Sequence, residues 1–172
     1  MSADRWHAEL DEPALVALAA SLAPAARAGG VVHLAGDLGA GKTTLARALL
    51  GALGVGERIK SPTYSLLESY RAGGMDIHHL DLYRIADAGE LEWLGLADLA
   101  DPAALLLVEW PERGGDALPP ADVRLALAHA GDRRRIEATS CSARGRAWLE
   151  VLHGRGEERG SWRGASPDRG SG

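Results

Sequence analysis

The sequence predicts a three-layer α/β domain on a mixed, partly antiparallel sheet, and three observations carry that prediction. A short apolar run at 31–35 leads directly into a glycine-rich loop and then a helically spaced segment, the strand, loop, helix order that starts a parallel sheet. A second run, Ala103 to Val108, is wholly apolar and of strand length, as expected of a strand buried on both faces. The turn pairs Gly73-Gly74 and Gly131-Asp132 each separate two strand-like segments. These read as hairpins, so antiparallel strands attach to the parallel centre.

In chain order, Asp11-Glu12-Pro13 reads as a helix start, with Leu15, Leu18 and Leu22 on one face. Pro24 ends or kinks that helix, leaving 25–30 as the connection to the first strand. The helix after the glycine-rich loop runs from about Lys42 to Leu53, where Gly54 closes it. Tyr64 to Tyr70 reads as a strand, paired across Gly73-Gly74 with Met75 to Tyr83. The stretch 87–100 reads as one or two short helices interrupted by Gly95, and Ala103 to Val108 is the buried strand ending in Glu109-Trp110-Pro111. Val123 to Ala128 and Arg135 to Thr139 form the second hairpin, and Ala143 to His153 a closing helix.

At 172 residues the chain has the size of one domain, able to bury roughly two thirds of the surface its unfolded form exposes. Residues 1–153 are read as that domain. The segment 154–172, rich in glycine and arginine, is read as a disordered tail. No stretch approaches the roughly 18–20 apolar residues of a membrane span, and the first residues lack a basic-then-apolar leader. A cytoplasmic protein with no membrane association is expected. Cys141 is the only cysteine, which excludes an internal disulfide and cysteine-rich metal sites; an inert, half-buried thiol is expected. A net charge of −5 argues against a protein whose affinity comes from neutralising nucleic acid phosphates. DNA is not expected as a partner, and contact with RNA is expected to be indirect.

Residues Gly36-Asp37-Leu38-Gly39-Ala40-Gly41-Lys42-Thr43 complete the pattern G-x-x-x-x-G-K-[ST] with the correct flanks, which makes the fold P-loop NTPase-like. A loop closing onto a helix N-terminus aims backbone N–H groups inward, and the helix dipole adds roughly half a positive charge. Polyphosphate fits there. The binding set read from the pattern is Asp37, Leu38, Gly39, Ala40, Gly41, Lys42, Thr43 and Thr44, with Lys42 reaching the β- and γ-phosphates and the Thr43 hydroxyl ligating Mg²⁺. Gly36 and Gly41 supply backbone conformations that a side chain would obstruct.

Hydrolysis needs a carboxylate near the metal and a group that positions water. Glu109 follows the apolar 105–108, as in a Walker B element, and is assigned to Mg²⁺; the alternative is a strand-end carboxylate facing solvent. Asp81 is assigned to the attacking water, with turn capping as its rival. Which of the two positions the water stays open, so Asp81, Glu109 and Lys42 form the catalytic set. Thr63 in Ser61-Pro62-Thr63 can sense the γ-phosphate or merely start a strand. Trp110 is either core or an aromatic edge at the nucleotide rim. Arg84 can fix phosphate or pair with Asp81. His78 and His79 face opposite sides of a strand, which argues against joint metal ligation; one packed and one exposed is the expectation.

Taken together, the phosphate loop, Ser61-Pro62-Thr63-Tyr64, His79-Leu80-Asp81-Leu82-Tyr83-Arg84 and Val108-Glu109-Trp110-Pro111-Glu112 resemble, in order, the motifs of the TsaE (YjeE) family. The likeness spans roughly residues 10 to 150. The resemblance implies an ATPase of bacterial tRNA threonylcarbamoyladenosine synthesis that uses ATP and Mg²⁺ and works with TsaB-like and TsaD-like subunits. Those partners hold the carbamoyl-transfer site and most of the tRNA contact. It also implies Lys42 and Thr43 for phosphate and Mg²⁺, Glu109 for the metal, Asp81 for water, and Trp110 for the nucleotide or a partner. The family's phenylalanine after Ser-Pro-Thr is Tyr64 here. A small-molecule kinase and a nucleotide-gated adaptor are the rival functions. The arginine-free stretch 86–101 is a poor kinase lid.

Overall fold

The run at 105–109 has no polar face to offer water, so it can only sit inside a sheet. In the computed structural model, which describes residues 4–56, 59–60, 66–99 and 101–155, all five of its residues are buried. Among the described residues the strands are β1 (Arg5–Leu10), β2 (Gly30–Gly36), β3 (Leu67–Ala72), β4 (Met75–Asp81), β5 (Leu105–Glu109), β6 (Val123–Ala130) and β7 (Arg133–Ser140). They form one sheet in the order β1-β7-β6-β2-β5-β4-β3. The pairs β2/β5, β2/β6 and β4/β5 are parallel; β1/β7, β6/β7 and β3/β4 are antiparallel. The mixed sheet is as the hairpin signals predicted.

The helices are α1 (Glu12–Ser21), α2 (Ala23–Ala26), α3 (Lys42–Ala52), α4 (Leu96–Leu99) and α5 (Ala143–His153). Asp11 caps α1, its Oδ1 accepting from the Ala14 N–H at 2.9 Å. The helix stops at Ser21, and Pro24 falls in the first turn of α2, where its missing N–H is harmless. Leu15 and Leu18 of α1, Leu45 and Leu49 of α3 and Trp148 of α5 pack with Leu34 and Leu107 in one core. A second, smaller core joins Leu80, Leu82, Leu106 and Val108 to Ile85, Leu91 and Leu96 of the connection after β4. That connection is a 3-10 segment, Ala88–Leu94, followed by α4, with Gly95 between them as expected. The third layer thus covers β4 and β5, whereas the outward face of β1, β7 and β6, with Arg5, Glu137 and Arg124, stays exposed.

Several elements differ from expectation. β1 was not predicted, although Trp6, Ala8 and Leu10 alternate; it pairs with β7 over six positions and buries Trp6 and Leu10. Of the strand expected over 64–70, Tyr64 and Ser65 lie outside the described residues, Leu66 is not in the strand, and β3 runs from Leu67 to Ala72. β4 ends at Asp81 rather than Tyr83 because the Asp81 carboxylate accepts from the Tyr83 N–H at 3.0 Å and turns the chain. β5 starts two residues later than expected, after a turn capped by Asp101. Cys141 is exposed, against the half-buried thiol expected, because it lies in the connection between β7 and α5. No helix among the described residues is long and apolar enough to cross a membrane.

One side chain ties three elements together below the sheet. Asp122 accepts from the Val31 N–H at 2.8 Å and from the Ser142 hydroxyl at 2.7 Å, and that hydroxyl caps α5 by accepting from the Gly145 N–H at 3.1 Å. The close approach leaves no room at Gly145, where a Cβ would lie 1.8 Å from the Asp122 carbonyl oxygen. Gly145→Ala is therefore expected to lower unfolding free energy by about 3 kcal/mol, the upper range for forced repacking. Urea denaturation checks this; a loss within the scatter of surface substitutions would contradict the packing described.

Candidate functional site

Parallel register brings the sequence-predicted residues to one edge of the sheet. Leu34 of β2 and Asp81 of β4 both lie beside Glu109 of β5, so the loop leaving β2 opens next to two carboxylates. Glu109 is only 1% exposed. The solvent-facing alternative is thereby excluded. Its Oε1 accepts from the Thr43 hydroxyl at 2.8 Å, and its Oε2 lies 2.7 Å from His79 Nε2.

Gly36 and Gly41 have φ of 143° and 110°, backbone that side chains rarely adopt. Packing adds a second reason at Gly36, where a Cβ would lie 2.3 Å from the Leu127 carbonyl of β6. The first intrahelical bond of α3 runs from the Leu45 N–H to the Gly41 carbonyl at 2.9 Å. The amides of Lys42, Thr43 and Thr44 thus precede the helical ladder and supply its positive end. Lys42 is 4% exposed, and its Nζ donates to the carbonyls of Gly36 at 2.5 Å and Asp37 at 2.8 Å. Burial lowers its pKa, opposed by the nearby carboxylates of Glu109, Glu112, Asp81 and Asp37. Leu38 and Asp37 are exposed at the loop's outer side, and Ala40 is buried beneath it.

Trp110 sits over this ammonium, with Lys42 Nζ 4.2 Å from its ring centroid, within cation–π range. The ring also meets Tyr83 at 5.1 Å between centroids and the Arg113 guanidinium at 5.5 Å. Trp110 is half-buried and serves both sides, lining the cleft while packing against the smaller core. The price is a left-handed backbone, φ 58°, at a bulky residue, a conformation costing roughly 1–2 kcal/mol.

Asp81 caps the Tyr83 turn, the structural alternative offered for it, and it also lines the cleft. Its pKa is raised, chiefly by burial and further by Glu109, while the Tyr83 N–H, His79 and Lys42 pull it down. Arg84 also lines the cleft. Thr63 lies outside the described residues.

The cleft holds about 390 Å³ and contains Gly39, Gly41, Lys42, Thr43, Thr44, Asp81, Glu109 and Trp110. Sequence reasoning missed Asp132, in the β6–β7 turn, and Arg134, at the start of β7, which both enter its wall; nothing local marks them, since only the hairpin's docking brings them near. His79 was also missed as a site residue. It is the packed one of the pair, fully buried against Glu109, while His78 is half-buried against Ser69 at 2.8 Å. Its signal was its position two residues before Asp81 on the same strand face.

Among the described residues no group of three or more His, Cys, Asp or Glu side chains is arranged to hold a metal ion. The Thr43 hydroxyl and Glu109 carboxylate offer two adjacent oxygens, a hard donor set of the size Mg²⁺ takes from a protein when phosphates and waters complete its shell.

The sequence profile of the family described as "Threonylcarbamoyl adenosine biosynthesis protein TsaE" matches residues 10–136. The tRNA threonylcarbamoyladenosine biosynthesis protein TsaE of Haemophilus influenzae is 47% identical over 107 residues, 62% of this chain and 68% of that protein. Its Bacillus subtilis counterpart is 36% identical over 119 residues, 69% and 74% of the two chains. The crystal structure of YdiB from Bacillus subtilis superposes with a TM-score of 0.69 at 29% identity, covering 87% of this chain and 93% of the other. On the profile match and these identities the chain belongs to the TsaE family, with a P-loop NTPase-like fold.

Proposed function

We propose that this chain is a Mg²⁺-dependent ATPase that serves tRNA threonylcarbamoyladenosine synthesis, turning over ATP to drive or reset a complex of TsaB-like and TsaD-like subunits. The observation that carries the ATPase reading is the convergence of Lys42, Thr43 and Glu109 at the mouth of a loop built for polyphosphate. The names of its relatives support the biosynthetic role. Its tRNA contact is indirect, through the complex, and it works in the cytoplasm without a membrane or DNA.

The chemistry follows from the placement of side chains. Lys42 exchanges its two carbonyl acceptors for phosphate oxygens, which the low-dielectric surroundings make strong partners. Thr43 and Glu109 would hold the metal, which would supply charge neutralisation for the nucleotide's phosphates. Hydrolysis joins a water oxygen to the γ-phosphorus and breaks the bridging bond to the β-phosphate. Asp81 accepts the hydrogen bond that orients this water, and Lys42 faces the charge left on the β-phosphate. Trp110 keeps bulk water off the ammonium. A chain alone hydrolyses slowly, with partners completing the site.

ATP turnover measured with the chain alone, with TsaB-like and TsaD-like subunits, and with small-molecule acceptors tests the reading. Stimulation by the subunits without a phosphorylated product supports it, whereas a phosphorylated acceptor would make the chain a kinase. Lys42→Ala is expected to weaken MgATP binding ~100-fold, in line with the cost of truncating a buried charged partner, and to remove partner-dependent phosphate release. Undiminished release would sink the phosphate-loop assignment. Glu109→Ala is expected to abolish the gain in nucleotide affinity on adding Mg²⁺, measured by titration calorimetry; an unchanged gain moves the metal to another residue.

A stability measurement addresses Asp81. Because its pKa is raised in the folded chain, the folded state holds this proton more tightly than the unfolded state. Its contribution is full below the ordinary carboxylate pKa and is lost as pH rises through the raised value. Asp81→Asn is expected to remove that loss, raising the denaturation midpoint at neutral pH while slowing ATP turnover. A midpoint that falls at neutral pH would contradict the strain assigned to the ionised carboxylate.

A further inference from the structure

We propose that His79 is the positioning residue for Glu109, fixing through its Nε2–H the rotamer in which the carboxylate can share a cation with Thr43. The proposal rests on the assignment of Glu109 to the metal made above.

Glu109 is the last residue of β5 and its carboxylate is buried. A carboxylate so placed needs donors on both oxygens, since an unpartnered buried oxygen is costly. The structure supplies one donor to each: the Thr43 hydroxyl at 2.8 Å to Oε1 and His79 Nε2 at 2.7 Å to Oε2. The two partners differ in kind. The Thr43 hydroxyl rotates freely and sits at the mouth of the phosphate loop, so it can turn its lone pairs to a cation. His79 is 0% exposed and lies on β4, whose register with β5 fixes the ring's distance from Glu109. One side of the carboxylate is therefore clamped by a rigid strand and the other is free to trade partners.

The tautomer follows from the contact. A carboxylate that serves a cation, as the metal assignment requires, only accepts, so under that assignment Nε2 carries the hydrogen. Nδ1 is then a bare lone pair, and among the described residues it has no hydrogen-bond partner. A histidine kept only for packing would be better replaced by an apolar ring, because Nδ1 forgoes a hydrogen bond in a dry interior. What this arrangement gains is a single donor aimed at Glu109 Oε2, the pattern by which outer partners orient metal ligands. Asp81, two residues on along β4 and on the same face, is held by the same strand. Thus β4 positions both carboxylates.

A matched pair of amide variants tests reach rather than chemistry. Glutamine places its amide near the position of Nε2, whereas asparagine places it near Nδ1, too short to reach Glu109. With ADP as probe and titration calorimetry in Mg²⁺ and in EDTA, His79→Gln is expected to keep the Mg²⁺-dependent gain in affinity. His79→Asn is expected to lose about tenfold of it, the lower range for residues that orient a ligand, with the affinity in EDTA unchanged within about twofold. Equal behaviour of the two variants would overturn the proposal. A wild-type chain with no Mg²⁺-dependent gain would instead overturn the metal assignment itself. If either variant fails to fold, the ring nitrogen NMR shifts of wild-type His79 decide: the Nε2–H form is expected, and hydrogen on Nδ1 with bare Nε2 would overturn the proposal.

Discussion

The register of three parallel strands is the constraint from which the site follows. Glu109 lies between Leu34 and Asp81 in the ladder, and the phosphate loop begins two residues after Leu34. Side chains alternate along a strand, so a slip of one residue in β5 would carry Glu109 to the opposite face and bury Val108 against α3. The apolar pattern prevents that slip. Leu105 and Leu107 belong to the larger core, Leu106 and Val108 to the smaller one, and both cores close only in the observed register. The alignment of the cleft's charged groups is thus specified by packing that contains none of them.

The burial that fixes the register also makes the site expensive. Lys42 and Asp81 both have pKa values displaced by burial toward their neutral forms, and Glu109 is nearly inaccessible. Each charge is tolerated because others stand near it, Lys42 among four carboxylates and Glu109 between two donors. A site of this kind is stabilised as a set. Low effective dielectric strengthens the interactions with a phosphate for the same reason that it penalises the isolated charges.

Much of this was legible in the sequence, and the reason is locality. The glycine-rich loop combines a backbone requirement at Gly36 and Gly41 with a helix start at Lys42, all within eight residues, so its geometry is written in one segment. Glu109 was legible because a uniformly apolar run has one place to go. What remained hidden depended on pairing at a distance. The alternation of Trp6, Ala8 and Leu10 gains meaning only when β7 offers them an edge. Arg134 enters the cleft wall through the hairpin's position, and His79 is interpretable only once β4 lies beside β5. Tandem histidines looked like one packed and one exposed residue, and the packed one proved to touch the site.

Trp110 shows how a local penalty can be held in place by its surroundings. A left-handed tryptophan is unfavourable alone, yet its N–H meets the Leu34 carbonyl at 3.3 Å and Pro111, next in sequence, is buried. The chain must therefore leave β5 sharply, and the sharp exit lays the indole over Lys42 and against Tyr83. The contact offsets part of the cost on both sides: the ammonium gains the ring's negative face where water is excluded, and the ring gains a place fixed from three directions. A smaller side chain would relax the turn more easily, but it would open the ammonium to solvent. The left-handed turn at Trp110 and the burial of Lys42 thus meet in one contact, the indole over the ammonium.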